Sequence, residues 1–225
     1  YYYHWGDFGE DHTVTDILAS HDYAYYYLRL RLKQPLNNID TLWLALDTYA
    51  PTLGESILPS GDTVNNRAEF LLRITNFSAE LYVTQAYDLY GIWHYISPPE
   101  QLYHSIPTDG APWNIVRWKN SEPIQDIQYI GNLRIRKAEL PPSSLDGVMI
   151  ANDSIDIRLP WTLLQFTSPN NMSVMHDYRN TPQREDTISD GIAVTIFHNH
   201  DKFETPSRYQ WVPWHFADDV DRKSV

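Results

Sequence analysis

The run at residues 23–32, YAYYYLRLRL, limits what this chain can fold into more than any other stretch. Ala24, Tyr26, Leu28, Leu30 and Leu32 take the even positions. Tyr23, Tyr25, Tyr27, Arg29 and Arg31 take the odd ones. Side chains along a strand point alternately to opposite faces, so a strict period of two makes a half-buried β-strand with one apolar face and one Tyr/Arg face.

The same alternation returns downstream. In 41–48, Leu42, Leu44 and Leu46 oppose Trp43, Ala45 and Asp47. In 66–74, Ala68, Phe70, Leu72 and Ile74 oppose Arg67, Glu69, Leu71 and Arg73. Further strands are expected at 80–87, within 127–138, at 154–159 up to Pro160, at 191–198 and, briefly, at 209–214. Residues 1–10 carry aromatics without a period and are expected to pack against the body, and 16–20 is a short apolar stretch. One helical turn is expected at 161–166 and irregular chain at 168–190. The loops at 50–65 and 98–113 hold Pro and Gly. About eight short strands between turn-rich loops, with no helix of ten or more residues, predict an all-β antiparallel sandwich of the jelly-roll or immunoglobulin-like two-sheet kind. With no repeat or linker, residues 1–225 read as one domain.

Charge and composition narrow the partners. The formal net charge of −12 argues against nucleic acid, since phosphate binding needs a basic patch, and against an anionic membrane surface. No apolar run reaches the length of a membrane-spanning helix, so membrane insertion is not expected. The absence of cysteine removes disulfides, thiol catalysis and thiolate zinc sites. The chain begins at Tyr1 rather than Met, and reads as a processed chain or an excised piece. Aromatic residues make up 14%, and Tyr (16) and Trp (8) outweigh Phe (7), a bias toward rings with a polar tip that suits half-wet recognition surfaces.

Several segments together resemble the family 9 carbohydrate-binding modules and their DOMON-like β-sandwich relatives. DILASHDYAYYYLRLRL (16–32) is similar to the opening of such modules. DTLWLALDTYAPTLGESILPSGDTVNNRAEFLLRI (40–74) resembles the hairpin that follows. DSIDIRLPWTLLQFTSP and DGIAVTIFHNH resemble later strands, with a Leu-Pro-Trp unit, and RYQWVPWHF resembles the close of modules at the C-terminal end of large bacterial glycosidase-like proteins. The middle region, 87–120, is longer than in the familiar modules, so no ligand residue carries over there. The resemblance implies a non-catalytic accessory module of a secreted or surface-exposed bacterial protein, with carbohydrate or the parent catalytic domain as partner. It also raises the expectation of a structural calcium ion.

Two candidate binding surfaces follow from the residues. Tyr25, Tyr27, Arg29 and Arg31, with Trp43, Asp47, Arg67, Glu69 and Arg73, form one face if their strands share a sheet. Tyr and Trp stack on the C–H faces of sugar rings while Arg, Asp and Glu meet hydroxyls. The same residues equally serve as cross-strand pairs, or as a charge network under a covering loop. Trp93, Trp113 and Trp118 form a second set in the Pro-rich middle region, as binding residues or as loop anchors.

For calcium, the candidate donors are Asp7 and Asp11 at the start of the chain, and Glu55 and Asp62, with Asp47, around the second loop. Asp186 and Asp190 are a further pair. None has EF-hand spacing, and a solvated acidic loop explains them as well. His198 and His200 would share a strand face and bind zinc or copper, but a third ligand at defined spacing is lacking. Met149, Met172 and Met175 fix no haem axial pair. No nucleophile elbow, zinc-protease or phosphate-loop signature occurs, although two carboxylates suffice for a glycosidase. The expectation is therefore a carbohydrate-binding module without catalysis. The alternative is a structural or protein-interaction sandwich whose Tyr/Trp surface packs against a catalytic domain or another subunit.

Overall fold

In a computed structural model, the chain is described at residues 2–7, 12–37, 40–52, 54–57, 62–84, 87–88, 105–107, 114–116, 118–119, 128–137, 139–176, 186–199 and 201–214. The first strands are β1 (Tyr3–Asp7), β2 (Val14–His21), β3 (Tyr25–Leu32), β4 (Leu42–Asp47), β5 (Glu55–Ile57), β6 (Thr63–Ala68), β7 (Phe70–Ile74) and β8 (Ala79–Val83). Four short ones follow: β9 (Tyr87–Asp88), β10 (Ser105–Pro107), β11 (Asn114–Val116) and β12 (Trp118–Lys119). Then come β13 (Gln128–Asn132), β14 (Arg134–Arg136), β15 (Asp146–Ile150) and β16 (Ser154–Pro160). The last are β17 (Phe166–Ser168), β18 (Ser173–Met175), β19 (Asp186–Ile188), β20 (Ala193–His198) and β21 (Asp201–Glu204).

The fold is an all-β sandwich. The first sheet runs β1-β2-β3-β16-β15-β14, and the second β13-β8-β7-β4-β20-β21. Neighbours are antiparallel except β14 and β15, which run parallel at the edge of the first sheet. Smaller sheets join β5 with β6, β9 with β12, β10 with β11, and β17, β18 and β19. Helical structure among the described residues is confined to two 3₁₀ turns, Trp161–Leu164 and Pro169–Asn171. No described helix is long and apolar enough to cross a membrane.

The core is built from the alternation read in the sequence. Tyr26, Leu28 and Leu30 of β3 and Ile155, Ile157 and Leu159 of β16 are buried against Leu42, Leu44 and Leu46 of β4 and Phe70, Leu72 and Ile74 of β7. Each such side chain contributes about 1.5–3 kcal/mol on burial. One end of this core is aromatic. Trp161 lies 4.9 Å from both Phe166 and Trp211, and Tyr209 lies 5.7 Å from Tyr26. Their indoles are satisfied by backbone: Trp5 Nε1 donates to Ser207 O, Trp161 to Asp22 O and Trp211 to Pro169 O, at 2.8–2.9 Å. The Leu-Pro-Trp unit and the YQW stretch are thus the plug of the sandwich.

Several expected elements come out differently. Residues 16–20 belong to a full strand, β2, because a bulge between Val14 and Asp16 interrupts its period. Residues 66–74 are two strands: at Glu69 the chain passes from β6, which pairs with β5, into β7 of the second sheet. Residues 127–138 likewise divide at Leu133, where the chain crosses from the second sheet to the first. Gly147 permits that crossing, since a Cβ there would come within 2.8 Å of Leu133 Cβ. Residues 168–190 contain β18 and β19, which extend a small sheet from β17 through the pairing of Val174 with Phe166 and Thr187. The segment 209–214 makes only an isolated bridge, Ile192 to Tyr209, and the last strand is β21 instead. Residues 1–10 contribute an edge strand, β1.

Trp161→Ala is expected to lower stability by about 3–5 kcal/mol. The urea midpoint should fall with an unchanged slope. A loss under about 1 kcal/mol would show that the aromatic plug does not hold this end together.

Candidate functional site

The expected nine-residue face divides between the two sheets. Tyr25, Tyr27, Arg29 and Arg31 lie on β3, in the first sheet, whereas Trp43 and Arg73 lie on β4 and β7, in the second. The outward sides of the two sheets are opposite sides of the sandwich, so these groups do not share a surface. Alternation within a strand fixes which way a side chain points, but not which sheet the strand joins.

On the second sheet, Asp47 and Glu69 are not surface residues. Asp47 is fully buried and Glu69 is 2% exposed. Arg208 forks onto Asp47, with Nη1 and Nη2 donating to Oδ2 and Oδ1 at 2.6 and 2.7 Å, and also donates to Gly191 O. Glu69 Oε2 accepts from Thr48 N at 2.7 Å, while Oε1 is buried without a hydrogen bond. Burial, reinforced by the Asp47 charge, pushes the Glu69 carboxyl well above the usual range. Burial also raises Asp47 against the pull of Arg208. The Arg208 fork favours a charged Asp47, and burial beside that charge favours a protonated Glu69. Gly54 is required beside this cluster: its φ is +91°, and a Cβ would lie 2.5 Å from Glu69 Oε1.

The rest of the second sheet's outer face is partly covered. Ala45, Val64, Ala68, Leu71 and Phe197 form a small core beneath the β5–β6 hairpin, bordered by Trp43 and Tyr82. Arg67 ties that hairpin by donating to Thr52 O at 3.0 Å. Trp43, Tyr82 and Tyr129 form a row with ring centroids 5.9 and 5.6 Å apart. Arg73 lies 6.0 Å above Trp43 and pairs with Glu80. Hydrogen bonds from Tyr82 first, and then from Arg73, hold Glu80 below the usual carboxylate range.

The outer face of the first sheet is open and concave. A pocket of about 290 Å³ is lined by residues including Tyr2, Tyr27, Arg29, Arg136, Asp156 and Arg158. The ladder explains the grouping. Along one row, His4, Leu18, Arg29, Asp156, Met149 and Arg136 are successive cross-strand partners from β1 to β14. In the next row Tyr27 faces Arg158. Arg29 donates to both oxygens of Asp156, and that bond raises the arginine's pKa. The Arg29 guanidinium also lies 5.6 Å from the Tyr2 ring centre, and that of Arg158 lies 4.6 Å from the Tyr25 centre. Tyr27 Oη donates to Asp22 at 2.6 Å, which leaves the ring as its contribution to the pocket. Arg31, at the end of the strand, is exposed and 3.6 Å from Asp16.

Among the described residues no group of three or more His, Asp or Glu side chains is placed to hold an ion. Asp7 ends β1, and Asp11 lies outside the described residues. Glu55 and Asp62 stand at opposite ends of the β5–β6 hairpin, and Asp62 is exposed. His198 is buried, with Nδ1 2.8 Å from Thr13 Oγ1, and its strand ends there because Asn199 adopts a left-handed φ of 53°. His200 lies outside the described residues, as do Trp93 and Trp113. Trp118 is placed by its backbone alone, opposite Asp88 in the β9–β12 pair. Met149 lines the pocket, while Met172 and Met175 belong to the core.

Of the residues expected from the sequence, Tyr27 and Arg29 line this pocket and Tyr25 lies against Arg158, whereas Asp156, Arg158, Asp146 and Arg136, which also line it, were not among the candidates. The SIDIRL pattern predicts a strand, and Asp156 and Arg158 alternate with its buried residues. It held no sign that β16 lies beside β3. Comparison with known family models, characterised proteins and solved structures finds no match for this chain.

Arg208→Ala would strand a buried carboxylate and is expected to cost about 3–5 kcal/mol in denaturant unfolding. Glu69→Gln tests the assigned proton. A raised folded-state pKa gives stability that is full below the ordinary glutamate range and is lost as pH rises through the elevated value. Glutamine keeps an acceptor for Thr48 N and never ionises. The melting temperature of Glu69→Gln relative to wild type should therefore climb as pH rises above the ordinary glutamate range. A difference independent of pH would contradict the assignment.

Proposed function

We propose that this domain is a non-catalytic carbohydrate-binding module, with the outer face of the first sheet as its glycan site. The observation that carries the reading is the pocket between β3 and β14, where Tyr2 and Tyr27 stand beside the Arg29–Asp156 pair and Arg158. Its volume of about 290 Å³ lies at the small end of ligand pockets, a size for one sugar ring with its substituents. Aromatic rings meet the apolar face of such a ring, and the fixed charged pair offers donors and acceptors to its hydroxyls. Tyr27, Arg29, Asp156 and Arg158 stand on paired strands, so these groups are held before a ligand arrives.

Two features favour binding over hydrolysis. The pocket's carboxylates, Asp146 and Asp156, are each engaged by an arginine, Arg134 and Arg29. A glycosidase needs one carboxyl able to deliver a proton to the leaving oxygen and another to attack or activate water. The sequence resemblance to family 9 modules supports the same reading, that of an accessory domain of a larger secreted or surface glycan-active protein.

A second reading, a protein-interaction sandwich, draws on the Trp43–Tyr82–Tyr129 row of the other sheet, where Tyr129 remains 44% exposed. Tyr, Trp and Arg are favoured at protein interfaces as well.

Affinity electrophoresis against a panel of plant, bacterial and host polysaccharides separates the two. Retention is expected on at least one glycan. Tyr27→Ala should weaken it by about 1 kcal/mol, roughly fivefold, and Trp43→Ala should leave it unchanged. Retention on none of them would sink the module reading. Loss with Trp43→Ala alone would move the site to the opposite face.

A further inference from the structure

The positive charge of the pocket is not balanced by its own carboxylates. Arg29 is matched by Asp156, held at both oxygens. Asp146 is matched by Arg134, whose Nε stands 3.3 Å from Oδ1. Two arginines on the pocket wall are left over. Arg158 spends Nε and Nη2 on backbone, donating to Asp146 O at 2.9 Å, Ser144 O at 2.8 Å and Ser143 O at 3.2 Å. Carbonyls fix its position without cancelling its charge, and its Nη1 makes no hydrogen bond among the described residues. Arg136 is exposed at the end of β14 and makes no ion pair or hydrogen bond among them. It belongs to the cross-strand row that carries Arg29 and Asp156.

This local excess sits on a chain whose net charge is −12. Elsewhere among the described residues Arg73 is matched to Glu80, Arg31 to Asp16 and Arg208 to the buried Asp47, while Arg67 spends a donor on Thr52 O. A neutral sugar would need only the hydrogen-bonding capacity of the Arg29–Asp156 pair. It would leave Arg136 and the free edge of Arg158 without an opposite charge. An arginine fork is matched in geometry by a carboxylate or a sulfate oxygen pair.

We infer that the ligand of this face is an acidic saccharide, with an anionic substituent directed at Arg136 and Arg158 while Tyr27 and Tyr2 meet the ring. The inference rests on the reading of this face as a glycan site. The anionic group supplies the charge that the pocket lacks. The pre-formed Arg29–Asp156 pair then orients the hydroxyls rather than the charge. Arg158, already fixed by three carbonyls, loses little side-chain freedom on binding.

Isothermal titration tests this with three oligosaccharides of equal length: a hexuronate, a sulfated one and a neutral one. Wild-type protein and Arg136→Gln are compared, with folding of the variant checked by thermal melting. The expected result is binding of the hexuronate or the sulfated chain, at least about tenfold tighter than the neutral chain. That binding should drop about tenfold in Arg136→Gln and weaken as salt rises from about 0.05 to 0.5 M. Which acidic chain binds identifies the anionic group. Neutral binding as tight as acidic binding, or acidic binding indifferent to Arg136 and to salt, would overturn the inference and leave the glycan reading standing. Failure of all three chains here, together with no retention on the polysaccharide panel, would overturn both.

Discussion

The pairing of β3 with β16 is the contact on which the rest of the structure depends. Residues Tyr25 to Arg31 lie opposite Ser154 to Pro160 without a slip in register. Because both strands alternate, one register sets both faces at once. Leu28 and Leu30 meet Ile157 and Ile155 inside, and Tyr27 and Arg29 meet Arg158 and Asp156 outside. A shift by one residue would put Asp156 and Arg158 into the core and expose the isoleucines. The same apolar burial that closes the sandwich therefore assembles the charged row on its surface. The loop before β15 then fixes Arg158 through the carbonyls of Ser143 and Ser144.

The elements legible in the sequence were those whose period is unbroken. β3 and β16 show their buried set as every second residue, and in β4 and β7 the residues that face the main core keep that spacing while Ala45, Asp47 and Leu71 are buried on the other side. Where the period breaks, the reading failed for a physical reason. β2 hides behind the bulge before Asp16, and the alternation around Leu133 runs on through a change of sheet. β17 to β19 carry too few apolar residues to register as strands. The partition of strands between sheets is a long-range property. No local pattern showed that Tyr27 would meet Arg158 rather than Trp43. The Asp47–Arg208 pair, 161 residues apart, was equally invisible.

The excess of Tyr and Trp resolves into separate populations with separate physics. Trp5, Trp161, Trp211, Tyr26 and Tyr209 plug one end of the core, with the indole N–H groups on backbone carbonyls. Trp43, Tyr82 and Tyr129 line the far face beside the β5–β6 hairpin. Tyr2, Tyr25 and Tyr27 remain on the open face, each beside an arginine. Composition alone does not separate these populations. Only the last group stands where a ligand's ring and a free positive charge can be met together.

The most direct test of that placement is amide chemical-shift mapping by NMR during titration with an acidic oligosaccharide. The account predicts that the perturbed amides cluster on β3, β14, β15 and β16, centred on Tyr27, Arg136 and Arg158. Perturbations centred instead on β4, β8 and β13, around Trp43 and Tyr129, would contradict it.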